Sequence, residues 1–166
     1  MARTKSINFP NTRDEMIELF DKLQRAVTCV NLVAGGVGIK TGSGSPTAAF
    51  ADPLYYVVDG VPCTLAAADC AALSGTVTNA KFNVFVFTVE ADGTLHTRMG
   101  TEAASLAAVT WPTIPDGEVV FGFVIVNPTG TGNFVGGTTD LDDATVVPNA
   151  KFADVNSVFA PFCNPL

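Results

Sequence analysis

The chain has 166 residues, enough for one domain with a short appended segment but not for two full hydrophobic cores. Hydrophobic residues make up 48% of it and charged residues only 15%, against roughly 25% in soluble domains, so we expect a partner to cover part of the apolar surface. The net charge is −7 and the few Lys and Arg residues form no cluster, which argues against binding to nucleic acid.

Neither a membrane span nor a secretory leader is predicted. A membrane-spanning helix needs about 18 or more continuous apolar residues, whereas the longest apolar run, 119–126, is of strand length and contains Gly122. The basic start of the chain leads into the run INFP at 7–10 and not into a hydrophobic signal core. The protein is expected to stay where it is made or to leave inside a larger assembly.

The four cysteines, at positions 29, 63, 70 and 163, are too few and too irregularly spaced for a disulfide framework. A structural zinc site needs a full tetrahedral set of ligands, and the single histidine, His96, is far in sequence from any pair of cysteines. We therefore expect free, mostly buried thiols and no metal site.

An amphipathic helix is predicted near the start of the chain, over residues 13–27. Thr12 suits the N-cap position and Glu15 stands three residues later, as in a capping box. Apolar residues at helical spacing form one stripe, and its members are Met16, Leu19, Phe20, Leu23, Ala26 and Val27. The stripe must be buried on the chain's own domain or on a neighbour, so its members other than Ala26 are predicted to contact a partner.

Composition divides the chain into three parts. Residues 1–33 are predicted to form an N-terminal arm and helix, 34–53 a Gly- and Ser-rich linker, and 54–166 a β domain. Glycine-rich segments also cradle phosphates, but the run GIKT at 38–41 lacks the glycine that a P-loop requires at position 33, which is valine. A nucleotide site is therefore not predicted.

The predicted β domain consists of short apolar runs separated by Gly and Pro turns. The Asp-Gly pairs at 59–60 and 92–93 are strong signals for tight turns between paired strands. Two runs, 82–89 and 119–126, are apolar on nearly both faces, as in strands that are buried from both sides. Further strands are predicted at 54–58, 61–64, 94–99, 134–135, 146–147 and 155–159, with one or two helical turns at 66–73. This pattern predicts a mainly β fold, an antiparallel β-sandwich or small barrel with one N-terminal amphipathic helix.

The ionisable residues do not form a recognisable catalytic set. His96 is predicted to point outward beside Arg98, on a strand whose inward residues are Leu95 and Met99. A histidine-activated nucleophile also needs a positioned serine or cysteine and an orienting acid, and no such motif is present in the sequence. The acidic run 140–143 lacks the spacing of a calcium loop and is expected to cap turns. No catalytic residue, metal or cofactor is predicted.

Most aromatic residues are expected in the core. The chain has 12 phenylalanines, one tryptophan and two tyrosines. Phenylalanine in alternating strands usually packs inward, whereas tryptophan combines a large apolar surface with a polar N–H group and is suited to contacts with partners. Trp111, which lies among prolines, is therefore the aromatic residue predicted to contact a partner.

Three stretches carry a resemblance to a known class of protein. They are KFNVFVFTV at 81–89 with DGT at 92–94, PTIPDGEVVFGFVIVN at 112–127, and FVGGTTDLD at 134–142. Together they resemble small structural proteins of tailed bacteriophages, of the head decoration (cement) or head-fibre kind. These stretches are turn and strand signatures without an active site, and the N-terminal helix and glycine-rich segment lie outside them.

The resemblance implies a virion component, made in the host cytoplasm, that binds the exterior of a phage capsid, often as a homotrimer, and stabilises or decorates the shell. Its partners would be the major capsid protein and further copies of itself, with neither nucleic acid nor membrane among them. Residues 1–30 would anchor it and the β domain would form the body, although the reverse assignment stays open. The alternative is a head- or tail-fibre knob that binds host surface carbohydrate. An enzyme, such as a wall-degrading hydrolase, is not favoured.

Overall fold

The computed structural model describes residues 29–32, 37–39 and 46–155. Within these ranges the chain forms twelve β-strands and one 3-10 turn at Leu106–Ala108. The strands are β1 Cys29–Leu32, β2 Val37–Ile39, β3 Ala48–Phe50, β4 Leu54–Val58, β5 Val61–Leu65, β6 Ala68–Asp69, β7 Thr76–Val77, β8 Asn83–Glu90, β9 Leu95–Met99, β10 Glu118–Val126, β11 Phe134–Val135 and β12 Lys151–Asp154.

The strands pair into four antiparallel sheets. The largest has the order β12-β10-β8-β9, and the others are β1-β4-β5, β2-β3-β6 and β11-β7. The prediction of a mainly β, antiparallel fold is therefore confirmed. The small-barrel alternative is wrong, because each of these sheets is open and none of them closes on itself.

The main hydrophobic core lies against one face of the largest sheet, where strand β4 contacts β10. Phe121 meets Phe50 edge-on with ring centroids 5.5 Å apart and stacks on Phe87 at 6.2 Å. The largest side chains that are fully buried here are Tyr56, Phe50, Phe85, Phe87, Phe121, Phe134, Leu54, Leu73 and Leu141. Since burial of one such side chain contributes about 1.5–3 kcal/mol, this core is the main source of stability.

Strand β8 is buried on both faces, as the sequence predicted. Phe85, Phe87 and Val89 point into the main core. Val84 and Val86, between them in the sequence, belong to a second and smaller cluster on the opposite face. The alternation follows from the two-residue period of a strand, and it means that this sheet must be covered on both sides.

Residues 100–117 connect β9 to β10 and cover part of that opposite face. Isolated backbone bridges join Phe82 to Ala103 and Thr101 to Thr110, so the connection is held close to the sheet. Within the connection Val109 is buried, but the 3-10 turn buries none of its residues. The second cluster is consequently much thinner than the main core.

Both Asp-Gly turns predicted from the sequence are present. Asp59 and Gly60 join β4 to β5 with positive φ angles of 50° and 78°, the left-handed conformation that a two-residue hairpin turn requires. In the turn between β8 and β9, Gly93 has a φ of 88° and the Asp92 carboxylate accepts the Thr94 N–H at 2.8 Å. These turns set the register of the strands that they join.

The structure differs from the sequence predictions in the Ala-rich run 66–73. No helical turn forms there; the run contains β6 and ends close to the core, with the Cys70 N–H donating to the Ala48 carbonyl at 2.8 Å. Tertiary pairing with β3 overrides the helical preference of alanine.

Two other ranges also differ. The predicted linker 34–53 contains β2 and β3, and Phe50 is buried in the main core. The pair at 146–147 lies in a turn and not in a strand. The last described strand, β12, precedes the predicted strand 155–159, of which only Val155 is described.

The predicted helix 13–27 lies outside the described residues, and so do the partner-contact residues on its stripe. Those residues are Met16, Leu19, Phe20, Leu23 and Val27. The proposed division into anchor, linker and β domain stays a prediction.

Candidate functional site

The largest exposed aromatic group among the described residues is the indole of Trp111, which is 52% exposed. Its ring meets Phe123 of β10 edge-on, with centroids 4.9 Å apart and an interplanar angle of 80°. The backbone just before it is fixed, since the N–H of Thr101 donates to the carbonyl of Thr110 at 2.8 Å. One edge of the indole is therefore anchored while the remainder faces solvent.

A hollow of about 220 Å³ lies on the same side of the sheet. Phe82, Leu106 and Ile125 form its apolar part, and Leu106 is itself 43% exposed. Asn127, Asn149 and Lys151 complete the lining. The surface made by these six residues with Trp111 and Phe123 is called the Trp111 face below.

Ionisable groups are scarce around this face. Residues 103–115 contain none, and neither does the run 119–139 that includes most of β10. Glu102, one of the two acids in the connection 100–117, binds the ammonium of Lys81 at 3.1 Å and accepts hydrogen bonds from the N–H and hydroxyl of Thr78. In a chain with a net charge of −7, the Trp111 face is thus a nearly neutral area.

Two further large apolar side chains in the described part of the chain are exposed away from this face. Val61 begins β5 and is 54% exposed, and Val135 in the short strand β11 is 40% exposed. Each is a single exposed apolar residue, which is normal at a protein surface. They are useful as reference positions for the Trp111 face.

A polar cluster spans strands β8, β9 and β10. Arg98 donates from Nε to one carboxylate oxygen of Glu118 at 2.8 Å and from a terminal nitrogen to the other, and the Thr88 hydroxyl donates to the same carboxylate at 2.6 Å. His96 Nε2 lies 2.6 Å from a carboxylate oxygen of Glu90. The sequence analysis placed His96 and Arg98 outward, and the structure shows them half-buried in this cluster.

The charged groups of the cluster stabilise one another. The Arg98 guanidinium, helped by the Thr88 hydroxyl, holds the pKa of Glu118 below its usual range. Hydrogen bonding to Glu118 in turn raises the pKa of Arg98. The Glu118 side chain is only 4% exposed, so loss of its partners would leave a nearly buried carboxylate without compensation.

The donor atoms of Glu90, His96 and Glu118 lie within 4.8 Å of one another, close enough to be tested as a metal site. A divalent cation requires free lone pairs on its ligands. Both oxygens of Glu118 already accept hydrogen bonds from Arg98, whose positive charge also opposes a second cation. The arrangement is therefore better suited to joining three strands than to holding a metal ion.

Sequence reasoning missed this cluster because it depends on pairing between distant strands. Thr88 lies opposite His96 across the β8–β9 hairpin, and this pairing can be predicted from the position of the Asp-Gly turn in the sequence. The position of Glu118 depends on the β8–β10 register, in which Glu118 lies opposite Glu90. No local signal fixes that second register.

The acidic run 140–143 caps a turn, as predicted. The Asp143 carboxylate accepts the backbone N–H of Thr145 at 2.8 Å and that of Val146 at 3.2 Å. Of the two cysteines whose side chains are described, Cys70 is buried, which raises the pKa of its thiol to about 12, and Cys63 is half-buried. Neither of these two forms a disulfide.

The described part of the chain contains no helix with the length and hydropathy that a membrane span requires. No protein-family model, no curated protein and no solved structure matches this chain.

Proposed function

We propose that this chain is a structural protein of a tailed-bacteriophage virion, a decoration or cement protein that binds the capsid exterior through protein–protein interfaces. The observation that carries the proposal is the Trp111 face, where an anchored indole remains 52% exposed beside an apolar hollow. Tryptophan is among the residues that contribute most to protein interfaces, and the centres of interfaces are poor in charge.

The scaffold supports this role. The body is built from antiparallel β-sheets, and the largest of them has a full core on one face and a thin cluster on the other. A neighbouring protein that covers the second face supplies the burial that the connection 100–117 leaves incomplete. The resemblance of the stretches 81–89, 92–94, 112–127 and 134–142 to phage head proteins supports the proposal that this neighbour belongs to the virion.

Stabilisation of a shell follows from mass action. A protein that binds the assembled capsid and not its separated subunits shifts the equilibrium toward the assembled state. A copy that contacts two adjacent capsomers gains from a high effective concentration at the second contact. In this scheme residues 1–30, with the predicted stripe of Met16, Leu19, Phe20, Leu23 and Val27, anchor the chain, while the β domain faces outward.

Quantitative mass spectrometry of purified particles tests the proposal. We expect this chain in a copy number comparable to that of the major capsid protein, and we expect particles that lack it to disassemble at lower temperature until the purified chain is added back. Its absence from the particles would refute the proposed function.

The anchor is tested by the double variant Leu19→Ser/Phe20→Ser, with Lys22→Gln on the opposite side of the predicted helix as the matched control. The double variant should lose occupancy on particles and the control should keep it. Equal occupancy of both variants would remove the helix from the attachment mechanism.

A second candidate function is a fibre knob that binds host carbohydrate. The observation that favours it is the presence of polar groups on Asn127, Asn149 and Lys151 in the hollow beside the exposed indole. Amide and ammonium groups with an aromatic surface suit sugar hydroxyls and sugar ring faces. Binding of the isolated chain to a glycan array, lost in Trp111→Ala, would support the fibre knob. A copy number of only a few chains per particle would also support it.

A further inference from the structure

We propose that the Trp111 face binds a second copy of this chain, with the indole of each copy inserted into the hollow of its neighbour. The inference deepens the proposed function by naming one of its interfaces, and it rests on that function only for its biological setting. It combines three properties of the face: an anchored projection, an adjacent hollow and a scarcity of charge, since Lys151 is the one ionisable residue among its members.

The projection is well placed for insertion. The Trp111 ring is held by its edge-on contact with Phe123, and the Thr101–Thr110 bridge fixes the backbone at its base. An aromatic side chain that is already ordered loses little conformational entropy on binding. Its exposed part therefore contributes to association with little opposing cost.

The hollow has room for such a group. Its volume of about 220 Å³ exceeds the roughly 150 Å³ of an engineered apolar cavity that binds benzene. Phe82, Leu106 and Ile125 supply apolar walls that a ring would contact. Ile125 is two residues from Phe123 on β10, so the hollow lies about 7 Å along the strand from the base of the projection.

Charge favours a second copy as the occupant. Two acidic chains repel each other over most of their surfaces, but residues 103–115 and 119–139 carry no ionisable group. Contact through this area therefore avoids placing like charges together. The area also offers no charge pattern to select a partner of opposite sign, whereas this chain itself provides both a projection and a complementary hollow.

Two segments of the same chain compete for the face. One is the predicted helix 13–27, whose apolar stripe the Leu19→Ser/Phe20→Ser variant disrupts; the other is 156–166, which follows Val155 and includes Val158, Phe159 and Phe162. The Val155 N–H donates to the Phe121 carbonyl at 3.0 Å and Val155 packs against the main core. Val155, the last described residue, is thus held on the side of the main core. A second copy approaches the Trp111 face without this constraint.

Sedimentation velocity of the full chain under reducing conditions, over a wide concentration range, tests the proposal. We expect reversible self-association into a closed oligomer of two or three copies. Trp111→Ser and Leu106→Ser should each weaken the association by about 30-fold or more, as for residues at the centre of an interface. Val61→Ser, which changes an equally exposed apolar residue away from the face, is the matched control and should leave the association unchanged.

Circular dichroism and thermal unfolding of each variant establish that the fold is retained, so that a loss of association is not a loss of structure. A chain that stays monomeric at the highest concentration overturns the proposal. An oligomer that Trp111→Ser leaves intact also overturns it. The same holds for a chain that is monomeric at full length and associates only after 156–166 are deleted.

The two proposals fail separately. Self-association is measured on the isolated chain and capsid occupancy on particles. Monomeric chains that saturate particles would overturn the inference and leave the proposed function standing, and oligomers absent from particles would do the reverse.

Discussion

The two faces of strands β8 and β10 are made from similar residues but are covered to different degrees. On one face Phe87, Phe121 and Val124 are fully buried beneath other strands. On the other face Val84 and Val86 are buried, but Phe123 is only half-buried, under a connection whose 3-10 turn buries nothing. A strand that is apolar on both sides needs two cores, and the described part of the chain supplies one complete core and one incomplete one.

Because of this difference, we propose the incomplete face as the place where a neighbour contributes. Exposed apolar residues that occur singly, such as Val61, carry little meaning. An exposed indole beside an apolar hollow on a neutral surface is a larger and more specific feature. The following predictions test whether the two faces differ in energy as they do in burial.

The largest effect is expected in the complete core. Phe121→Ala removes a ring in contact with Phe50 and Phe87 and should lower the free energy of unfolding by about 3–5 kcal/mol. The matched variant on the other face, Phe123→Ala, should cost less than about half as much, because its ring is already partly exposed. Urea denaturation of the monomer at low concentration measures both values, and equal losses would contradict the comparison.

The polar cluster should contribute less than the core. Glu118→Gln removes a carboxylate that accepts charged hydrogen bonds from Arg98, and we expect a loss of about 1–3 kcal/mol in the free energy of unfolding. Glu90→Gln changes the more exposed pair with His96 and should cost about 1 kcal/mol or less. If the two substitutions lower the free energy of unfolding equally, the nearly buried position of Glu118 does not strengthen its contribution to stability.

The same carboxylate predicts a dependence on pH. The pKa of Glu118 is lower in the folded chain than in the unfolded chain, so its contribution is present above the unfolded value of about 4.3 and is lost as pH falls through the folded value. The difference in unfolding free energy between the wild-type chain and Glu118→Gln should therefore shrink on acidification from neutral pH. A constant difference across this range would show that the ionised carboxylate is not responsible.

A small effect on monomer stability, similar to that of Glu90→Gln, is expected at Trp111. Trp111→Ser removes one edge-on contact with Phe123, which corresponds to about 1 kcal/mol for an aromatic pair. A much larger loss in thermal unfolding would mean that the indole acts mainly as part of the core. The main effect of Trp111→Ser is expected to be on self-association of the chain.

The parts of the fold that were predictable are those with local signals. Neighbouring residues in the sequence determine the alternation in β8 and β10, and they also determine the Asp-Gly turns at 59–60 and 92–93. Strands β2 and β3 escaped prediction because their support is distant: the Val37 N–H donates to the Asp154 carboxylate at 2.7 Å, across 117 positions of sequence. Local composition does not reveal such a contact.

The candidate site divides in the same way. Trp111 was singled out from the sequence as a tryptophan among prolines, and its contact with a partner stays a prediction. The hollow was not predicted, because its walls come from Phe82, Leu106 and Ile125, which lie in three separate segments. The ion pair of Arg98 with Glu118 likewise required the register between β8 and β10.

The most direct measurement uses the intrinsic fluorescence of Trp111, the sole tryptophan of the chain. Its exposed indole should be quenched efficiently by acrylamide in dilute solution. As the concentration of the full chain is raised, the account predicts weaker quenching and a shift of the emission to shorter wavelength, both absent in Leu106→Ser. Quenching and emission that stay the same from low nanomolar to high micromolar concentration would contradict the claim that a second copy completes this face.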